Sequence, residues 1–217
     1  MDKIQGFILA GGASRRMGEP KFALNIGGRT FVEKAAGASR ARTAGHVTVV
    51  GDIADRYLNV RSTADEDHSL RKIPDTIIER DFSENKAPSG ALIGLYTALT
   101  EAESEWIAVL ACDLPFVTGD LMTRLAGDCS DEFDAVVPVQ PDGRSQPLCA
   151  FYRCEESMPV VQQLIADGDL KMQGFVSRLS TRFVEFEEIA DLDGSANFFL
   201  NVNRPEDYET ALRIATS

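Results

Sequence analysis

Ile8-Leu9-Ala10-Gly11-Gly12-Ala13-Ser14-Arg15-Arg16-Met17-Gly18-Glu19-Pro20-Lys21 runs an apolar strand directly into a glycine-rich loop that carries three cations. Ile4, Phe7, Ile8 and Leu9 read as a short buried strand. The Gly11-Gly12 pair removes the side chains that would hold backbone N–H groups away from phosphate oxygens. Arg15, Arg16 and Lys21 add positive charge beside those donors, arginine as a fork onto two oxygens and lysine as a compact point charge. A nucleoside triphosphate suits such a loop, although glycine followed by basic residues is equally common in solvated turns. The spacing excludes a Walker loop, which needs Gly-Lys-Ser/Thr, and a dinucleotide fingerprint, which needs Gly-x-Gly-x-x-Gly opening a helix.

Beyond this loop, strands and helices alternate. Thr30-Phe31-Val32-Glu33 is a capping box that predicts a helix to about Thr43, stopping at Gly45. Strands are expected at 46–50 and, after a less regular stretch through Asp65-Glu66-Asp67, at 76–78; Ser89-Gly90 opens a helix through about Ala102. Residues 106–111 are continuously apolar, as expected of a central parallel strand covered on both faces. Thr118 caps a helix through Leu125, strands follow at 135–139 and 148–152, and a helix near 159–166. Residues 181–186 alternate like a half-exposed strand, 198–202 read as another, and Pro205 opens the closing helix with acids in its first turn. The pattern predicts an α/β fold, a three-layer α/β/α sandwich with a mostly parallel, Rossmann-like sheet whose ligands bind outside the carboxyl ends of the strands. No repeat or linker divides the chain, so one domain over 1–217 is expected.

Three polar clusters fall at such strand ends. The first is the glycine-rich loop. The second is Asp113, immediately after the apolar run, where a hard carboxylate oxygen can hold Mg²⁺ while the metal takes other oxygens from water and phosphate. Aspartate before Leu114-Pro115 is equally a turn residue. The third is Asn201-Val202-Asn203, whose amides share a face in an extended segment with Val202 packed behind. Read from the residues alone, Asn203 is better explained as the cap of the helix at Pro205.

Composition narrows the partners. A chain of 217 residues with 44% hydrophobic residues can bury a sizeable core, and a formal charge of −12 argues against nucleic acid or an anionic membrane as a bulk partner. Cys112, Cys129, Cys149 and Cys154 form no Cys-x-x-Cys pair, and with His46 and His68 as the sole histidines a structural zinc site is hard to assemble. Reduced, packing cysteines are expected. Met1-Asp2-Lys3 leads into a strand without an apolar leader, which points to a cytoplasmic protein.

The first loop resembles the LAGGxSxRMGxxK signature of the MobA-like nucleotidyltransferases, with every fixed position filled. Ala111-Cys112-Asp113-Leu114-Pro115 looks like that family's ACDxP motif, which carries its magnesium aspartate. Asn201-Val202-Asn203-Arg204-Pro205-Glu206-Asp207 is similar to its closing NxNxPED motif, on the metal and substrate side of the site. Gly90-Ala91-Leu92-Ile93-Gly94 lies where the family has GPLAG, and Gln146 to Tyr152 is similar to its PLxAxY strand. The resemblance extends over nearly the whole chain and implies a fold of the nucleotide-diphospho-sugar transferase type. Two departures are Ala91 in place of proline and Gly51-Asp52 in place of an asparagine near the base. Asp75 looks like the aspartate that the family uses on the nucleotide.

The activity implied is attack by the terminal phosphate of the molybdopterin cofactor on the α-phosphorus of GTP, expelling pyrophosphate and leaving the guanine dinucleotide form of the cofactor. The resemblance assigns catalysis to Arg15, Lys21 and Asp113, and nucleotide contacts to Leu9, Ala10, Gly11, Gly12, Ser14, Arg15, Lys21, Asp75, Gly90, Asp113, Asn201 and Asn203. It places Mg²⁺ on Asp113 with Asn203 as a second ligand. Other proteins of molybdenum cofactor biosynthesis and acceptor apo-enzymes are implied as partners, with neither nucleic acid nor membrane. A CTP-dependent cytidylyltransferase, a sugar-phosphate nucleotidyltransferase and a non-catalytic nucleotide-binding module remain alternatives. The first is disfavoured by Leu9-Ala10-Gly11-Gly12 where that branch reads LAAG, the second by a chain with little room for a further domain. The joint presence of Lys21, Asp113 and Asn203 speaks against the third.

Overall fold

The computed structural model describes residues 4–11, 20–43, 47–51, 71–73 and 90–216, with the backbone alone at 71–73. Among these residues seven strands form one sheet: β1 (Gln5–Leu9), β4 (Val47–Val50), β5 (Arg71–Ile73), β6 (Trp106–Ala111), β7 (Ala135–Pro138), β8 (Cys149–Arg153) and β9 (Thr181–Val184), in the order β5-β4-β1-β6-β8-β7-β9. A separate small hairpin pairs β2 (Asn25–Ile26) with β3 (Arg29–Thr30). β8 alone runs against the sheet, antiparallel to β6 and β7, while β4, β1 and β6 are parallel neighbours. The apolar run of 106–111 is therefore a central strand as expected, but parallel on its β1 side only.

β4, β6 and β7 are buried on both faces along their whole length, and β1 and β8 nearly so, which is why they read as mostly apolar runs. Phe7, Leu9, Ile107, Val109, Ala150 and Tyr152 meet α2 (Ala91–Glu101), α4 (Cys154–Ala166) and α5 (Met172–Val176). The alternate residues Ile8, Ala108, Leu110, Cys149 and Phe151 meet α1 (Phe31–Arg40) and α3 (Gly119–Ala126). A third, smaller core joins Leu24, Ile26, Phe31 and Val202 to Ala211 of α6 (Pro205–Ala215). The result is the expected three-layer α/β/α sandwich.

α1 begins with the predicted capping box: the Glu33 N–H donates to Thr30 Oγ1 at 3.3 Å, and the Thr30 N–H donates to Glu33 Oε2 at 2.6 Å. It ends at Arg40, short of Thr43, because Ala41 and Arg42 donate to Ala38 and Ser39 in tighter three-residue turns. Thr118 Oγ1 accepts from Leu121 N–H at the start of α3, also as expected. α4 starts at Cys154, five residues before the proline taken as its beginning; Pro159 lies inside the helix. The segment 198–202 is not a strand. Phe198 and Val202 are buried like alternate strand residues, but they anchor a coil that follows a 3-10 turn, Ser195–Asn197. The strand at 181–186 stops at Val184, where Glu185 opens a 3-10 turn, Phe186–Glu188. α5 and β5 were not expected, and the strand read at 76–78 lies outside the described residues. No helix among the described residues is long and apolar enough to cross a membrane.

Gly6 sets how closely α1 lies on β1. A Cβ built there would come within 2.5 Å of Ser39 Oγ and 3.0 Å of Thr43 Cγ2. Gly6→Val is therefore expected to destabilise the fold by about 1–3 kcal/mol, as over-packing does. Urea denaturation would show this as a lower midpoint at unchanged slope, and a wild-type midpoint would refute the close approach.

Candidate active site

Two neighbouring strand ends carry the site. Past β1, the Ala10 N–H donates to Val50 O at 2.9 Å; past β6, the Cys112 N–H donates to Leu9 O at 3.1 Å. The start of the glycine-rich loop and Asp113 are thereby held side by side. Gly51, at the end of β4, lets this happen: its φ is 138°, and a Cβ there would lie 3.1 Å from Ala10 C and Gly11 N. Leu9 and Ala10 are buried, so what they turn toward a ligand is backbone, whereas Gly11 is exposed. Leu9 packs its side chain toward Gly94 of α2, and exposed Gly90 heads that helix. Gly12, Ser14, Arg15 and Asp75 lie outside the described residues.

Lys21 opens a 3-10 turn, Lys21–Ala23, whose place is fixed by buried Phe22 and Leu24 and by a 2.9 Å bond from the Phe31 N–H to Leu24 O. Its ammonium lies 3.4 Å from Asp113 Oδ2 and also donates to Asn203 Oδ1. Asn203 Nδ2 in turn donates to Asn201 Oδ1 at 2.6 Å, while Val202 is buried behind them and its N–H donates to Asp113 O at 2.9 Å. The described members of all three predicted clusters thus meet at one place.

Asn203 does not cap α6, contrary to the reading from the residues alone. Arg204 holds the cap position, and Asp207 Oδ2 accepts from the N–H groups of both Asn203 and Arg204, at 2.9 and 2.8 Å. That arrangement leaves the Asn203 amide free to face Lys21. Asp207 was missed as a positioning residue, although an acid three places after the cap is its sequence signal. Asp207→Ala is expected to cost about 1 kcal/mol of stability through the lost cap and about tenfold in activity through a loosened Asn203. An unfolding scan and initial rates would check both, and unchanged rates would remove the positioning role.

Asp113 Oδ1 is buried and has no hydrogen-bond partner among the described residues. Burial pushes the carboxyl above the usual aspartate range, and the Lys21 ammonium pulls it back. The carboxylate of Asp113 and the amide oxygen of Asn203, which meet on one ammonium, are hard oxygen donors, which fit a cation such as Mg²⁺ and not a thiolate-loving metal. No group of three or more His, Cys, Asp and Glu gathers among the described residues. An ion held here would complete its shell with water or substrate oxygens. The neighbouring thiols take no part: Cys112 and Cys149 are buried, and burial pushes Cys149 up to about 12.

A mostly parallel sheet with Gly11, Lys21 and Asp113 gathered outside its strand ends is the arrangement of an α/β protein that takes its ligand at those ends. The chain belongs to the MobA-like NTP transferase family and is a nucleotidyltransferase: the family model matches residues 6–182. A protein of Bacillus cereus (strain AH820) named probable molybdenum cofactor guanylyltransferase is 32% identical over 97% of this chain and 96% of that relative. One of Bacillus mycoides (strain KBAB4) with the same name is 30% identical over the same shares. Among solved structures, molybdopterin-guanine dinucleotide biosynthesis protein A of Archaeoglobus fulgidus is similar in fold, with a TM-score of 0.74 at 22% identity, covering 98% of this chain and 99% of that one. 2-C-methyl-D-erythritol 4-phosphate cytidylyltransferase of Thermus thermophilus has a TM-score of 0.66 at 17% identity, covering 99% and 100%.

Proposed function

We propose that the chain, as one domain over 1–217, transfers GMP from GTP to the terminal phosphate of the molybdopterin cofactor and releases pyrophosphate. The observation that carries this reading is the meeting of Lys21, Asp113 and Asn203 at one strand end in a chain 32% identical to a relative named for guanylyl transfer. The acceptor's phosphate oxygen forms the new bond to the α-phosphorus as the bond to the β-phosphate breaks, with no covalent protein intermediate. The protein's work is alignment and charge neutralisation.

In this reading the backbone of the glycine-rich loop and Arg15 cradle the triphosphate, and Lys21 supplies a point charge to it. Asp113 and Asn203 would hold Mg²⁺, which when bound neutralises charge on the phosphate oxygens. Asn201 orients Asn203 through the amide–amide bond, and Asp207 fixes the backbone that carries it. The dinucleotide product would pass to other cofactor-biosynthesis proteins or to acceptor apo-enzymes.

Pyrophosphate release from GTP in the presence of molybdopterin tests the reaction directly. A thermal-shift series with GTP, CTP, ATP and UTP plus Mg²⁺ tests the base. A nucleotide at one hundred times its Kd adds about 2.7 kcal/mol of apparent stability, so GTP is expected to give the largest rise in Tm. A shift with CTP as large as that with GTP would overturn the guanylyl assignment.

A further inference from the structure

The Lys21 ammonium occupies the same two side chains that the proposed function assigns to the metal. It lies 3.4 Å from Asp113 Oδ2 and donates to Asn203 Oδ1. Asn203 cannot simply turn another oxygen toward an ion, because its Nδ2 is tied to Asn201 Oδ1 at 2.6 Å and its backbone N–H to Asp207 Oδ2 at 2.9 Å. A hard divalent ion bonds its oxygens at about 2.0–2.1 Å. On either of these oxygens it would sit against the ammonium, with a carboxylate's single negative charge shared between them. Like charges at that separation repel strongly in a partly buried site. The lysine arm differs from the amide: its backbone is anchored by buried Phe22 and Leu24, but its four-carbon stem is flexible and its three donors can be redirected. A triphosphate offers that ammonium a stronger anion than Asp113 does.

We propose that Lys21 is a resident counter-cation of the Asp113–Asn203 pair, which excludes a divalent metal until a nucleoside triphosphate draws the ammonium onto its phosphates. Metal and nucleotide then bind cooperatively, and the nucleotide-free protein discriminates against free metal. The coupling is reciprocal, as linkage requires. This inference rests on the reading of Asp113 and Asn203 as metal ligands, and its test separates the two.

The test is Mn²⁺ binding to the nucleotide-free protein, followed by titration calorimetry or by the paramagnetic resonance of unbound ion. The proteins are wild type, Lys21→Met, Lys21→Gln and each with Asp113→Asn. Met keeps the apolar stem and Gln keeps a donor, but neither carries charge. Both are expected to bind Mn²⁺ about tenfold more tightly than wild type, within the usual range of site couplings, and Asp113→Asn is expected to abolish the gain. Affinity that depends on Asp113 but is no tighter in the Lys21 variants overturns the inference and leaves the metal reading standing. Affinity indifferent to Asp113→Asn overturns both.

Discussion

Asp113→Asn is expected to slow nucleotidyl transfer by about 10²–10³, the usual loss for one preorganised electrostatic contact, without lowering stability at neutral pH. The amide keeps the shape of the side chain but not the charge that would hold a metal or balance Lys21. The stability side follows from the buried Oδ1, which no hydrogen bond among the described residues satisfies, and from a carboxyl that burial raises above its usual range. In the unfolded chain Asp113 ionises near about 3.9, whereas in the folded protein it holds its proton to a higher pH. Below the unfolded value both states are protonated and the residue favours neither. As pH rises through the folded value, ionisation must occur in a poorly solvated place, so wild-type stability contributed by this group declines. The Asn variant lacks that decline. Its Tm relative to wild type should therefore climb from acid to neutral pH, opposite to its activity. Thermal unfolding across that range, paired with kcat, checks the prediction; full activity, or a Tm lowered equally at every pH, would sink it.

Such a trade of stability for function is what distinguishes Asp113 from a turn residue, and that distinction was only half legible beforehand. Its position was legible, since six apolar residues ending in an aspartate put it at the tip of a central strand. Its unsatisfied oxygen was not, because that depends on what packs around it from residues far along the chain. The same division holds elsewhere. The capping box, the Thr118 cap and the apolar run mark α1, α3 and β6 because their causes are local. Proline is so common at the first helical position that Pro159 reads as the start of α4, whereas the helix begins at Cys154 and carries Pro159 inside. Residues 198–202 imitate a strand because Phe198 and Val202 are buried on one side, yet the backbone bonds of Phe198 and Leu200 close local turns on Ser195 O and Asn197 O, and that of Val202 goes to Asp113 O, so no ladder forms. β5 and α5, at three and five residues, are too short for periodicity to announce. Read from the residues alone, Asn203 looks like a cap for a related reason: Asn and Asp both satisfy helix starts, and here Asp207 does so from inside the helix, leaving Asn203 for the site to which the resemblance assigns it.

As a cation of a polar loop, Lys21 reads from the sequence as a phosphate ligand with no part in the fold. Its contact with Asp113 changes that expectation. Lys21→Ala should lower kcat/KM for GTP by about 10², since it removes a cation that neutralises charge developing on the leaving pyrophosphate. It should also lower stability at neutral pH, by up to about 1 kcal/mol, because a partly exposed pair is lost and the Asp113 charge remains with less to balance it. Both losses make the two residues interdependent. In Lys21→Ala/Asp113→Asn the stability loss should vanish, since no carboxylate is left behind. The kinetic losses should fall short of the product of the single effects, as they do for residues that act on one centre. Asn203→Ala, which removes a neutral amide, should act on the same step more mildly. Steady-state kinetics and unfolding curves on these four variants and wild type measure every quantity. Kinetic effects that multiply independently, or a double variant destabilised by the sum of its parts, would show that Lys21 and Asp113 work on separate events and that their contact is incidental to catalysis.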